Sequence, residues 1–292
     1  SDIIRHGLSG METHPGAGGQ PPVFSLGPED LSMVPARKAY SNKGTFGKVL
    51  VAAGQKNMAG AAFLSGNAAY ATGAGLVKIF TEEANREILQ GLLPEAILAT
   101  YSEGKELEEE TLSGASTASN CVGKELEEET LSGASAVSNG RKKDLEEEIL
   151  PEAILATYSG EKSGEGQLEK LLGEALSWAT AAVVGPGLGT GETARRIVRF
   201  ALKEAEIPLI LDADGLNLVA KAPEWLKGAK APVIVTPHLG ELARLIGSSI
   251  PDIQQGLLQA ARAFAAEYHV ICVLKDARTV TALPDGRAYI NT

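Results

Sequence analysis

Unbroken apolar runs alternate with helical patterns along most of this chain. Lys48-Val49-Leu50-Val51-Ala52-Ala53 predicts a buried strand that stops at Gly54. A helix of small residues is expected over about 60–72, then a second strand, Gly75-Leu76-Val77-Lys78-Ile79-Phe80. The alternation resumes near Trp178. It predicts a strand over 181–184, a helix over 192–204, a strand over 208–211 and a helix over 215–220. A strand over 232–236, helices over 240–246 and 253–268, and a strand over 270–274 follow. The chain then turns through a hairpin at Pro284-Asp285-Gly286. Strands that are apolar at every position, not every second one, are buried on both faces. With helices between them they predict an α/β fold around a mostly parallel sheet. Residues 1–22 are rich in Gly, Pro and Ser and show no period, so they read as an arm or linker.

The middle breaks the pattern. Leu93-Pro-Glu-Ala-Ile-Leu-Ala-Thr-Tyr-Ser102 recurs at residues 150–159, and residues 104–116 recur at 123–135. A looser copy starts at Lys143. These copies carry few large apolar residues, so they predict an acidic insertion over about 103–149, with weak helices near 106–112, 125–131 and 144–150. Most of the charge lies here: 13 acidic and 5 basic residues between 103 and 149, a net of −8 within the chain's −10. The remainder is near neutral and offers no basic stripe, which argues against a nucleic-acid partner. No apolar run is long enough for a membrane helix, and none at the N-terminus reads as a signal-peptide core. Cys121 and Cys272 fit no metal-ligand spacing, and no metal site is read from the residues; a reduced, cytoplasmic setting is expected.

In open α/β sheets, ligands sit outside the carboxyl ends of the strands. Four predicted loops lie there: 54–62, the glycine turn 185–191, Asp212-Ala213-Asp214-Gly215-Leu216-Asn217, and Thr236-Pro237-His238-Leu239-Gly240-Glu241. The glycine turn joins a strand to a helix and is a candidate phosphate site, because backbone N–H groups at a helix start attract anions. Steric demand alone is the competing explanation for its glycines. Asp212 and Asp214 are candidate ligand carboxylates or helix N-caps. His238 is either a ligand contact or the cap of the helix near Gly240. Lys275 ends an apolar strand, where a charge is unfavourable unless it reaches water or an anion; an anion is the favoured reading. His269, between a helix and a strand, reads as structural.

Seven stretches stand in an order that resembles one family. They are Ser41-Asn-Lys-Gly-Thr-Phe-Gly-Lys-Val-Leu50, Ala59-Gly-Ala-Ala62, Gly73-Ala-Gly-Leu-Val77, Gly185-Pro-Gly-Leu-Gly189, Asp212-Ala-Asp214, Thr236-Pro-His-Leu-Gly-Glu241 and Val273-Leu-Lys-Asp276. The chain is similar to the ADP-dependent NAD(P)H-hydrate dehydratases, a ribokinase-like family. The resemblance implies a three-layer sandwich over residues 35–292, with residues 1–34 as an arm. It implies ADP- or ATP-driven dehydration of (S)-NAD(P)H hydrate, with Mg2+. By resemblance Ala61, Gly187 and His238 contact the hydrate, with Asp212 and Lys43 in support. Lys275, Asp276, Ala277, Arg278 and Thr279 line the nucleotide. The family's catalytic Asp lies on a glycine-rich turn after a segment like Tyr289-Ile-Asn-Thr292. The resemblance therefore places that Asp and the last helices beyond Thr292, assigns no catalytic residue within this sequence, and leaves the domain incomplete at its C-terminus. It further implies a homo-oligomer, a tetramer in the family, and fusion to or action with an NAD(P)H-hydrate epimerase. A hydroxymethylpyrimidine or hydroxyethylthiazole kinase on the same fold, or an inactive nucleotide-binding fragment, are the competing readings.

Overall fold

The computed structural model describes residues 13–14, 21–26, 30, 34, 40–102 and 166–291. Its elements belong to one compact unit, residues 1–104 with 158–292. Residues 105–157 make a second unit that lies outside the described residues, and the expected acidic helices and the second decapeptide copy fall outside them too.

The strands are β1 (Thr13–His14), β2 (Val23–Leu26), β3 (Lys48–Ala52), β4 (Leu76–Glu82), β5 (Ile97–Tyr101), β6 (Ala181–Val184), β7 (Leu209–Leu211), β8 (Val233–Val235), β9 (Ile271–Leu274), β10 (Val280–Ala282) and β11 (Ala288–Asn291). They form one sheet in the order β1-β2-β11-β10-β9-β8-β7-β6-β3-β4-β5. From β9 through β5 every neighbouring pair is parallel. β10 pairs antiparallel with both β9 and β11, and their hairpin turns at 283–287, where Gly286 has a positive φ. The six strands predicted from the apolar runs all lie in the parallel part.

The helices are α1 (Ala59–Ala71), α2 (Arg86–Leu92), α3 (Gln167–Trp178), α4 (Glu192–Glu204), α5 (Asp214–Val219), α6 (Glu224–Lys227), α7 (Leu239–Ile246), α8 (Ile250–Gln255) and α9 (Leu257–Tyr268). Two separate cores flank the sheet; β3 and β4 feed both, whereas β7 and β8 bury one face in the larger core and leave Ile210 and Ile234 partly buried on the other. Leu50, Ala52, Ala182, Val184, Leu209, Leu211, Val233 and Val235 pack with α3 to α9. Val51, Val77 and Ile79 pack with α1 and α2 on the opposite face. These are the three layers implied by the ribokinase-like resemblance.

Two expectations change. The helix expected over 253–268 is two helices, because Gly256 leaves helical geometry at φ −148° and ψ 52°. The arm expected over 1–34 also contributes to the sheet. β2 pairs in parallel with β11, and Phe24 is buried and stacked on Tyr289 at 5.1 Å. The Arg262 guanidinium holds the carbonyls of Pro21 and Pro22 at 2.7 and 3.0 Å. An open strand edge at β11 leaves backbone groups to satisfy, and the apolar Val23 and Phe24 supply a strand to cover it.

The chain leaves β3 toward β4 and β5 on one side and later builds β6 to β9 on the other. The β3–β6 boundary is therefore a topological switch point, where the loops part and a crevice opens.

Candidate functional site

The loops after β3 and β6 meet at this boundary. Gly54 N–H donates to the Pro186 carbonyl at 2.9 Å and Gln55 N–H to the Gly187 carbonyl at 2.7 Å. Ala61, in the first turn of α1, faces Gly187: a Cβ on Gly187 would lie 2.6 Å from the Ala61 Cβ. Only glycine fits there, and its φ of +61° favours glycine as well. Small residues on both loops let a flat ligand lie against backbone.

The glycine turn differs from a free phosphate cradle. Leu188 N–H donates to the Gly185 carbonyl at 3.1 Å, and Gly189 N–H donates to Asp214 Oδ2 at 2.9 Å. A carboxylate of the chain itself thus takes the anion's place at Gly189. Asn217 Nδ2 lies 3.4 Å from Asp214 Oδ1, and Arg244 Nε donates to Asn217 Oδ1 at 3.0 Å. The turn is a braced wall of the crevice. Gly185 closes it from below, since a Cβ there would lie 2.0 Å from the Asp212 carbonyl oxygen.

Asp212 and Asp214 leave β7 in different directions. Ala213 between them has φ 51° and ψ −118°, a strained conformation for a residue with a Cβ, and it is the N-cap of α5. Neither carboxylate caps that helix, so the N-cap reading does not hold. Asp212 Oδ1 accepts from Thr236 Oγ1 and from Lys275 Nζ, each at 2.8 Å. The Lys275 side chain is 45% exposed. An ammonium has three protons, so at least one of those not given to Asp212 can reach a second anion. Lys275 N–H also donates to the Pro237 carbonyl at 2.8 Å, which joins the loops after β8 and β9.

His238 is the N-cap of α7. Its Nδ1 accepts from Gly240 N–H at 3.0 Å, while the buried Glu241 accepts from His238 N–H at 2.9 Å. Accepting at Nδ1 leaves the proton of the neutral ring on Nε2. The capping reading therefore holds; the side chain is 55% exposed, and its Nε2 lies 3.5 Å from Glu241 Oε1. Asp276, Ala277 and Arg278 form the exposed loop after β9, and Thr279 precedes β10, its carbonyl accepting from Asn291 N–H at 3.0 Å.

Lys43 stands apart. It opens the 3-10 turn Lys43–Phe46, and its carbonyl lies against Gly75, just before β4 begins. That is the amino edge of the parallel strands, opposite the edge that gathers Ala61, Gly187, Asp212, His238 and Lys275. Thr236, Gln55, Thr81 and Asn85 belong to the site's support and were not singled out as site residues from sequence. Thr236 and Gln55 carried a signal, their places in two of the four loops at strand ends, and Thr81 and Asn85 carried none. Among the described residues no group of three or more His, Cys, Asp or Glu side chains is placed to hold a metal ion. No described helix is long and apolar enough to cross a membrane.

The chain is similar to known proteins along most of its length. The family model described as NAD(P)H-hydrate dehydratase matches residues 49–144 and 130–292. The bifunctional NAD(P)H-hydrate repair enzyme Nnr of Thermofilum pendens is 31% identical over 258 residues, which is 88% of this chain and 39% of that protein. The Nnr of Moorella thermoacetica is 32% identical over 260 residues, 89% of this chain and 39% of that protein. The chain thus spans about two-fifths of the length of these curated relatives. The ADP/ATP-dependent NAD(P)H-hydrate dehydratase of Bacillus subtilis, crystallised with ATP and Mg2+, superimposes with a TM-score of 0.61 at 26% identity, covering 94% of this chain and 73% of that one. By the family match across most of its length, this chain belongs to the NAD(P)H-hydrate dehydratase family.

Proposed function

We propose that this chain binds (S)-NAD(P)H hydrate and ADP or ATP side by side along the carboxyl edge of its sheet, as the site of ADP-dependent dehydration of the hydrate to NADH or NADPH. The observation that carries the reading is the convergence of five of the expected residues from separate loops on one edge. Ala61 packs on Gly187. Asp212 holds Lys275, and Lys275 joins the loop that carries His238.

The dinucleotide lies on the flat wall of Ala61 and Gly187, with His238 Nε2 as a donor to its polar groups. The nucleotide lies over residues 275–279. Lys275 balances charge on the phosphates while Asp212 and Thr236 fix its position. Mg2+ would arrive on those phosphates, with Asp276 the exposed carboxylate on the same loop. In the reaction the nucleotide's terminal phosphoryl group passes to the hydrate's hydroxyl. Phosphate then leaves, the adjacent ring carbon gives up a proton, and the reduced ring's double bond is restored. The base that takes the hydroxyl proton belongs, by the family resemblance, to the glycine-rich Asp turn after Thr292. Lys43, on the other edge, takes no part in this arrangement.

The same proposal takes residues 35–292, joined by β2 from the arm over 1–34, as the domain and residues 103–149 as an insertion. Deleting 103–149 should leave both ligand affinities within twofold. It also takes the protein as a cytoplasmic homo-oligomer, a tetramer by family, working with an NAD(P)H-hydrate epimerase; sedimentation of the purified chain checks the assembly.

Equilibrium dialysis of the chain with NADH hydrate and Mg-ADP tests the reading. Both should bind together, and neither hydroxymethylpyrimidine nor hydroxyethylthiazole should displace the hydrate. Displacement by either would make it a kinase of those alcohols. With the Asp turn present, absorbance at 340 nm should return with one phosphate released per NADH. Such turnover from residues 1–292 alone would make Asp212 or Asp214 the base.

A further inference from the structure

We infer that Asn85 and Thr81 are positioning residues for the dinucleotide side of the cleft, acting through the backbone of Gly54 and Gln55; the inference rests on the functional reading above. Asn85 follows β4 and is 1% exposed, and Thr81, on β4, is fully buried. The Asn85 Nδ2 lies 3.0 Å from each of three acceptors: the Gly54 carbonyl, the Gln55 carbonyl and Thr81 Oγ1. Thr81 Oγ1 in turn donates to the Gly54 carbonyl at 2.7 Å. Two carbonyl acceptors require a donor, so the amide orientation is fixed by chemistry.

These bonds fix the carbonyl side of two residues whose N–H groups hold the glycine turn. Gly54 and Gln55 donate to the carbonyls of Pro186 and Gly187. The bonds therefore run without a gap from Asn85 through residues 54 and 55 to Gly187, which faces Ala61. Lys56 N–H adds a bond to Glu82 Oε2 at 2.5 Å, so the carboxyl end of β4 underpins the whole loop. Among the described residues Asn85 Oδ1 is buried without a hydrogen-bond partner. A buried acceptor left unmade is unfavourable, and a side chain kept only to fill space would not carry one. The residue's function is on its donor side. Lys275 and Asp212 lie just past β9 and β7, and their side chains bond to each other and to Thr236 and not to Asn85 or Thr81, so the nucleotide side should lose less than the dinucleotide side.

The test uses Thr81→Val, Thr81→Ser and Asn85→Ala in the 292-residue chain. Thr81→Val keeps the shape and removes the hydroxyl, whereas Thr81→Ser keeps the hydroxyl. Amide hydrogen exchange at Gly54 and Gln55 should rise at least tenfold in Thr81→Val and in Asn85→Ala and stay at the parent rate in Thr81→Ser. Amides of β7 and β8 should not change. NADH hydrate, titrated by calorimetry, should bind about tenfold more weakly to Thr81→Val, while Mg-ADP affinity stays within twofold. Unchanged exchange at residues 54 and 55 overturns the proposal. So does an equal loss of both ligands, which marks a merely structural role. If the parent chain binds no hydrate, the functional reading falls, and the exchange rates still decide whether Asn85 and Thr81 brace the loop.

Discussion

At the scale of single residues, the site depends on short side chains with little room to change. Gly185 has φ 127° and would put a Cβ 2.0 Å from the Asp212 carbonyl oxygen. Backbone cannot yield as a flexible side chain would, so Gly185→Ala should destabilise the fold by about 3 kcal/mol or more, measured by denaturant unfolding. Asp214→Ala removes the partner of Gly189 N–H and should lower stability by about 1–2 kcal/mol in the same assay. Cys272 sits in the middle of β9 and is fully buried, and desolvation pushes its thiol up to about 12. The neutral thiol is inert, so the native protein at pH 8.5 should leave Cys272 unmodified by iodoacetamide and the unfolded protein should not, as peptide mapping will show. Much of the candidates' placement was legible in the residues: Ala61 opens the helix after β3, and Gly187, Asp212, His238 and Lys275 follow the ends of β6, β7, β8 and β9. What the carboxylates do was not legible. The strained Ala213 turns Asp212 toward Lys275 and Asp214 toward Gly189, and no pattern of residue types announces that backbone conformation.

At the scale of elements, α3 and α4 are joined by a two-pronged ion pair. Arg196 Nε and Nη2 each lie 2.8 Å from a Glu169 carboxylate oxygen. The hydrogen bond to Arg196 holds the Glu169 carboxyl below its usual value of 4.5. A carboxylate with a lowered folded pKa stabilises the fold above its unfolded pKa, and that stability is lost as pH falls through the folded value. Both side chains are partly exposed, so the pair contributes about 0.5 kcal/mol. Glu169→Gln should therefore lower Tm by about 1–2 °C at pH 7 and by nothing measurable in acid below the folded pKa. The helix that carries Glu169 was missed from sequence, although Leu168, Leu172, Ala175 and Leu176 make one buried stripe. It follows the acidic repeats, and their pattern masked its start. β5 was hidden in the same way, because its residues lie within a decapeptide that recurs and so read as part of the array, not as the outer strand beside β4.

At the scale of the whole molecule, the apolar runs predicted every strand of the parallel part but β5, and the order of the strands is what brings the loops together. Only with β3 beside β6 do Gly54 and Pro186, far apart in sequence, meet, and that pairing is non-local information. It also explains Lys43, which shares a motif with β3 in sequence yet lies at the other end of that strand in space. The carboxyl edge is proposed to hold two sets of contacts, the dinucleotide reaching from Ala61 and Gly187 to His238 and the nucleotide at Lys275, with His238 and Lys275 paired as neighbours on adjacent strands. Calorimetric titration of the parent chain, Lys275→Ala and His238→Ala with NADH hydrate and with Mg-ADP tests it most directly. A lysine–phosphate contact is a charge-assisted bond worth about 1.5–3 kcal/mol, so Lys275→Ala should weaken Mg-ADP at least tenfold. His238→Ala should weaken the hydrate more than the nucleotide. If both substitutions leave both affinities at the parent values, or if each lowers the two affinities equally, the account of two contact sets is contradicted.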